Sequence, residues 1–217
     1  MRLLLVNPNT NAATTATMLR IARRAAPDGV LVEGATVARG APLLADEAQL
    51  AIGAAATQEL IAATDLASFG GVIVAAFGDP GLEACRAISP VPVTGIAEAA
   101  MAEAAALGRF VIATTTRNLV AAIEARAASY GYGASHLGTW LTRGDAAAVM
   151  ADPGRLEAAL GDAVAEAIAA VAPDAVIIGG GPLAEAAAAL RPRFAVPLIE
   201  PVPAAIRLAV RRAAFRA

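Results

Sequence analysis

Val72-Ile73-Val74-Ala75-Ala76-Phe77-Gly78-Asp79-Pro80-Gly81-Leu82 and Val176-Ile177-Ile178-Gly179-Gly180-Gly181-Pro182-Leu183 are two versions of one pattern. In each, a short apolar run rich in β-branched residues enters a glycine-proline turn and then a helix. Small residues and free backbone N–H groups at a strand's carboxyl end mark the place where open α/β sheets bind ligands. Two such ends lead us to expect one ligand pocket between two similar halves.

Working outward, apolar runs alternate with helical segments, the signature of a parallel sheet with helices on its faces. Residues 3–6 read as a first strand, followed by a helix over 12–25 with Asn11 as its N-cap. A second strand is expected at 30–34, a helix at 47–64, a strand at 72–76 and a short helix at 83–87. Residues 91–93 then read as a strand, 97–107 as a helix and 110–113 as another strand. From there the order repeats. Phe110-Val111-Ile112-Ala113 matches Leu3-Leu4-Leu5-Val6, Val176-Ile177-Ile178 matches Val72-Ile73-Val74, and Val196-Pro197-Leu198-Ile199 matches Val91-Pro92-Val93-Thr94. The offsets are 107, 104 and 105 residues, close enough to read as two copies of one unit. The expected fold class is therefore α/β, with two pseudo-symmetric domains, each a short parallel sheet flanked by helices. The first domain spans 1–97, with the last helix (203–217) as a possible completion, and the second spans 98–202. Residues 130–152 carry no firm assignment, although 137–141 could form a strand and Gly144-Asp145 could begin a short helix.

Composition narrows the function. With 217 residues the chain suits two domains of about 100 each. It is 58% hydrophobic but only 4% aromatic, so its core must be built from Ala, Val, Leu and Ile. A net charge of −2 with interleaved signs gives no polyanion surface, and nucleic acid is not an expected partner. Gly, Pro or charge interrupts every apolar stretch before about 20 residues, so no membrane span is expected. Met1–Val6 resembles a short signal core but stops at Asn7-Pro8-Asn9-Thr10, too early for a cleavable leader. The single Cys85 excludes an internal disulfide and a multi-thiolate metal site. A cytoplasmic protein without metal or cofactor is expected.

Several side chains could carry chemistry at the strand ends. Asn7 offers both a donor and an acceptor, suited to an amide, imide or carboxylate, although Asn and Thr also build turns and caps. Thr114, Thr115 and Thr116 end the matching strand, where hydroxyls and helix-opening N–H groups can hold a carboxylate. Neither glycine turn has the phosphate-loop Lys-Ser/Thr pair or the spaced dinucleotide glycines. Glycine there permits close backbone approach to a small ligand, which makes Phe77, Gly78, Gly180 and Gly181 candidate contacts. Asp79, Glu98, Glu200 and His136 are the possible proton carriers. Asp79 before Pro80 also makes a good helix start, and a lone histidine is more often packed or exposed than catalytic. Cys85, among Ala84, Ala87 and Ile88, reads as an inert buried thiol.

Taken in order, Asn7-Pro8-Asn9-Thr10, Phe77-Gly78-Asp79-Pro80-Gly81-Leu82, Gly95-Ile96-Ala97-Glu98-Ala99, Thr114-Thr115 and Val196-Pro197-Leu198-Ile199 resemble the aspartate/glutamate/hydantoin racemase family, most closely its hydantoin and allantoin racemase branch. The resemblance implies two pseudo-symmetric α/β domains with the site between them. It also implies cofactor-independent proton exchange at a carbon next to a carbonyl, by two cysteines on opposite faces of the substrate. One acts as thiolate base and the other as thiol acid, while N–H groups hold the developing enolate oxygen. At the first cysteine position this chain has Ala76, and at the second it has Gly180. Cys85 lies nine residues beyond Ala76 and cannot simply substitute. Glu200-Pro201 also stands where the family pattern has Asp-Gly. Relatives that decarboxylate or isomerise small dicarboxylates use at least one of these thiols too.

Two functions follow. One is an isomerase of small hydantoins, ureides or amino acids with a non-standard proton-transfer pair. The other is a catalytically inactive protein that binds a small anion or cyclic ureide on the same scaffold. Either takes a small carboxylate, hydantoin or ureide as its partner, and a homo-oligomer is compatible with both.

Overall fold

The computed structural model describes residues 1–215, so positions 216 and 217 of the expected last helix lie outside the described residues. The chain divides into two compact units, the first containing Met1–Ala99 and the chain from Val202 onward, the second Ala100–Pro201. In chain order the first unit holds β1 (Arg2–Asn7), α1 (Ala12–Ala25), β2 (Leu31–Thr36), α2 (Glu47–Ala63), β3 (Gly71–Val74), α3 (Leu82–Ile88), β4 (Val93–Gly95) and the start of α4 (Ile96–Ala105). The second holds β5 (Phe110–Thr114), α5 (Val120–Ser129), β6 (His136–Leu141), α6 (Ala146–Met150), α7 (Pro153–Val171), β7 (Ala175–Ile178), α8 (Ala184–Leu190) and β8 (Leu198–Ile199). The last helix, α9 (Pro201–Ala214), belongs to the first unit from Val202 onward.

Among the described residues, each unit builds one four-stranded parallel sheet, ordered β2-β1-β3-β4 in the first and β6-β5-β7-β8 in the second. The two orders are the same topology, which is the duplication expected from the repeated motifs. The central strands β1, β3, β5 and β7 are almost wholly buried, as strands covered on both faces must be. That is why they read as continuous apolar runs rather than as alternating ones.

Helix boundaries follow local chemistry. The Asn11 carboxamide oxygen accepts from the N–H groups of Ala13 and Thr14 at 3.0 and 3.3 Å and starts α1. On α7, Asp152 caps the first turn ahead of Pro153, and Leu160, Ala163, Val164 and Ala167 recur at helical spacing. They pack on Val111, Val176, Ile178 and Leu190 in the core of the second unit.

Two strand expectations are corrected. The strand expected at 91–93 is β4 at Val93–Gly95, and the one expected from 196 begins at Leu198. Both shifts have one cause. Proline has no N–H to donate to a ladder, so Pro92 and Pro197 enter the sheet only through their carbonyls. These accept from Val72 and Val176, each at 2.9 Å. The uncertain stretch resolves into β6 and the short α6, with Asp145 as the cap of α6.

One charged cluster fastens the first unit. Glu98 is only 16% exposed and receives Arg86 Nη2 at 2.7 Å and Arg212 Nη2 at 2.7 Å. Arg212 also donates to Thr94 Oγ1, and Arg86 Nε donates to the Val93 carbonyl. Three helices and a strand thus meet at one carboxylate. Burial by itself disfavours its ionisation, but the hydrogen bonds and charges of Arg212 and Arg86 outweigh that and hold the Glu98 carboxyl below the ordinary carboxylate range.

Glu98→Gln is expected to destabilise the chain by about 2 kcal/mol at neutral pH, because two arginines lose their counter-charge. A depressed folded pKa contributes stability that is complete above the ordinary value of 4.5 and disappears as the pH falls through the folded value. Urea melts of both proteins should therefore converge as the pH is lowered below 4.5.

Candidate functional site

In the strand order of the first unit, the connections leaving β1 and β3 run to opposite sides of the sheet. The crevice at such a switch point lies beyond the carboxyl ends of those two strands. The Ala75 N–H donates to the Val6 carbonyl at 2.9 Å and ties these ends together. Asn7 therefore lies beside the turn that begins at Ala76, two residues past the end of β3.

Asn7 is fully buried and its carboxamide is used inside its own loop. Its Nδ2 donates to Asn9 Oδ1 at 2.9 Å, to Thr15 Oγ1 at 2.9 Å and to the Asn11 carbonyl at 3.2 Å. Its Oδ1 accepts from the Asn9 N–H at 3.1 Å. The side chain expected to face a ligand thus fixes the β1–α1 connection. Asn9 Oδ1 also accepts from the Asn11 N–H, while Asn9 Nδ2 has no acceptor among the described residues. Asn9, at 8% exposure, is the motif's available donor.

The turn after β3 is shaped by backbone geometry. Gly78 has φ +132° and Asp79 has φ +48°, a left-handed conformation that Asp tolerates better than most residues. The N–H of Phe77 finds no acceptor among the described residues. Asp79 is fully buried, and its two carboxylate oxygens accept from the N–H groups of Ala97 at 2.9 Å and Glu98 at 2.7 Å. It starts a helix, as its position before Pro80 suggested, but that helix is α4 rather than α3. A carboxylate on orphan N–H groups at a helix's positive end is a strong, charge-assisted arrangement. It requires glycine at position 95, where an added Cβ would lie 2.2 Å from the Asp79 carboxyl carbon.

The second unit repeats the edge. The Gly179 N–H donates to the Ala113 carbonyl at 2.7 Å, the counterpart of the bond between Ala75 and Val6. Thr114 Oγ1 donates to the Gly179 carbonyl at 2.7 Å, so this hydroxyl closes the β5–β7 edge. Thr115 is buried with Met150 Sδ at 3.5 Å from its hydroxyl. Gly180 stands two residues past β7, as Ala76 stands past β3, and the Gly181 N–H has no acceptor among the described residues. At Gly180 an added Cβ would meet Leu183 Cγ and Cδ1 at 2.7 Å. Thr142, which follows β6 and donates its N–H to the Thr114 carbonyl, has a buried hydroxyl without a hydrogen-bond partner among the described residues. It lies in the stretch where sequence reading made no firm assignment.

The other candidates stand apart from these turns or are already engaged. His136 pairs with Phe110 at the amino end of the second sheet and stacks on its ring at 5.5 Å. Thr114 pairs with Leu141 at the other end, five residues along β6 and roughly 16 Å away at the strand rise. Burial lowers the His136 pKa, against the weaker opposing effects of the Gly138 backbone and the Glu124 charge. Glu98 is held by Arg86 and Arg212. Glu200, at the carboxyl end of β8 and 11% exposed, pairs with Arg191. Cys85 lies on α3, fully buried, and burial pushes its thiol up to about 11. Among the described residues no three His, Cys, Asp or Glu side chains are grouped to hold a metal, and no helix is long and apolar enough to cross a membrane.

The family model described as Asp/Glu/Hydantoin racemase matches residues 3–209. A hydantoin racemase from a Pseudomonas species is 27% identical over 213 residues, covering 96% of this chain and 84% of that one. A hydantoin racemase from Paenarthrobacter aurescens is 31% identical over 105 residues, a match that spans 46% of this chain and only 43% of that protein. Among solved structures, an allantoin racemase from Klebsiella pneumoniae superimposes with a TM-score of 0.94 at 29% identity, covering all of this chain and 89% of that one. The chain belongs to the Asp/Glu/hydantoin racemase family.

The unequal space at the two positions is testable. Ala76 is half-buried with its Cβ already accommodated, so Ala76→Cys should leave stability nearly unchanged. Gly180→Cys must displace Leu183 from the core and should cost about 1–3 kcal/mol, measured by denaturant unfolding of the two variants.

Proposed function

We propose that this member of the racemase family binds a small carboxylate, hydantoin or ureide at its glycine turns and does not exchange the ligand's proton through a thiol pair. Oxygens of the ligand would rest on backbone N–H groups, either that of Phe77 in the first unit, with the Asn9 amide as an added donor, or that of Gly181 in the second. The substrate class follows the hydantoin and allantoin racemases to which the chain is similar.

The observation that carries this reading is the pair of positions two residues beyond β3 and β7, occupied by Ala76 and Gly180. Neither residue can accept or deliver a proton. The acids and bases considered in their place have other duties: Asp79 caps α4, Glu98 joins Arg86 and Arg212, and His136 sits at the amino end of its sheet. Cys85 is held as a thiol by burial. Each missing acid or base group removes about 10²–10⁴-fold of acceleration.

A second reading keeps isomerase activity and assigns proton transfer to a carboxylate. Glu200 is the residue that favours it, since it ends β8 at the carboxyl edge and its partner Arg191 is largely exposed.

The two readings separate in heavy water. A panel of hydantoins, amino acids and substituted malonates is first screened for thermal stabilisation of the full chain. Each ligand found is then followed by NMR for loss of its α-proton. Binding without deuterium incorporation above the blank is expected. Incorporation abolished by Glu200→Gln and untouched by thiol reagents would instead establish the carboxylate route. The absence of any stabilising ligand would contradict both.

A further inference from the structure

The second unit contains a cavity of about 370 Å³ away from its glycine turn, between the outer face of α7 and the segment that runs from the end of β6 into α6. Thr114, Thr115, Gly180 and Gly181 do not line it. Its volume falls in the range of small-molecule sites, roughly 300–1,000 Å³. The walls divide by chemistry. Leu141, Val149, Ala159 and Ala163 form an aliphatic floor, and Arg143, Asp145, Arg155, Asp162 and Glu166 supply charge.

Three of the five charged groups are already engaged. Arg143 pairs with Glu166 across the rim. Asp145 Oδ1 accepts from the Ala148 N–H at 3.0 Å as the cap of α6. The Arg155 guanidinium and the Asp162 carboxylate have no partner among the described residues. They lie seven residues apart on α7, so about 10 Å separates their backbones along the helix axis. The amino end of α7 does not compete for an anion, because Asp152 Oδ1 already accepts from the N–H groups of Gly154 and Arg155.

A cationic and an anionic anchor about two helical turns apart beside an aliphatic floor specify an elongated zwitterion. We propose that this cavity binds an amino carboxylate whose two charges are separated by a methylene chain, its carboxylate on Arg155 and its ammonium on Asp162. An α-amino acid, with adjacent charges, is too short to reach both anchors. A site of this kind is independent of what the glycine turns bind.

The test uses 6-aminohexanoate, five methylenes between its charges, titrated into the full chain and followed by calorimetry. Hexanoate and hexylammonium serve as probes carrying one charge each. Saturable binding of 6-aminohexanoate is expected, with each single-charge probe weaker by about two- to fivefold, the scale of one lost exposed ion pair. Arg155→Ala and Asp162→Ala, both at exposed positions, should each weaken the zwitterion similarly. Exchanging the charges in the double variant Arg155→Asp, Asp162→Arg should restore binding with the ligand reversed. Equal affinity for the single-charge probes, indifference to the substitutions, or no saturable binding of 6-aminohexanoate would each overturn the proposal.

Discussion

One backbone hydrogen bond at the carboxyl edge of each sheet sets the position of everything proposed for ligand binding. The Ala75 N–H reaches the Val6 carbonyl in the first unit, and the Gly179 N–H reaches the Ala113 carbonyl in the second. Each bond brings the end of an inner strand against its neighbour, so that the next residue but one leaves the sheet in a fixed direction. Glycine turns follow at once, through Gly78 in the first unit and Gly180 in the second. The Asp79 carboxylate then clamps the first turn to the start of α4, a contact possible only because position 95 carries no Cβ. The local strain of a left-handed aspartate is offset by two short, charge-assisted hydrogen bonds.

This economy of side chains has a chemical consequence. Proton exchange next to a carbonyl needs an acid and a base at the reacting carbon, each with a pKa near the working range. The Asp79 and Glu98 carboxylates are structural: one caps a helix, and the other pairs with two arginines where three helices meet. The thiol of Cys85 is buried with its pKa raised, which opposes formation of the thiolate that would act as base. Oxygen recognition, by contrast, needs only N–H groups, and these remain at Phe77 and Gly181.

The α/β architecture was legible because buried parallel strands must be apolar throughout and because the same strand-turn-helix phrase occurs twice. The β4 and β8 boundaries were less so, since Pro92 and Pro197 look like strand residues in an apolar run yet cannot donate to a ladder. The site was legible at the level of motifs but not of individual side chains. Asn7 and Asn9 look alike in sequence, and only the hydrogen-bond pattern reveals that Asn7 closes the loop while Asn9 keeps a free donor. Asp79 caps a helix that begins well beyond it in sequence, and Glu98 meets an arginine 114 residues away, pairings that no local spacing announces. His136 could be discarded only once its strand's direction was known. Thr142 carried no signal, because its isolation is a property of packing.

A crystal structure of the chain with a bound hydantoin tests the central claim most directly. The ligand's carbonyl oxygens are expected within hydrogen-bond distance of a turn N–H, Phe77 or Gly181, with no carboxylate, imidazole or thiol against the carbon that would lose its proton. A titratable side chain in van der Waals contact with that carbon, or a hydantoin bound away from both turns, would contradict it.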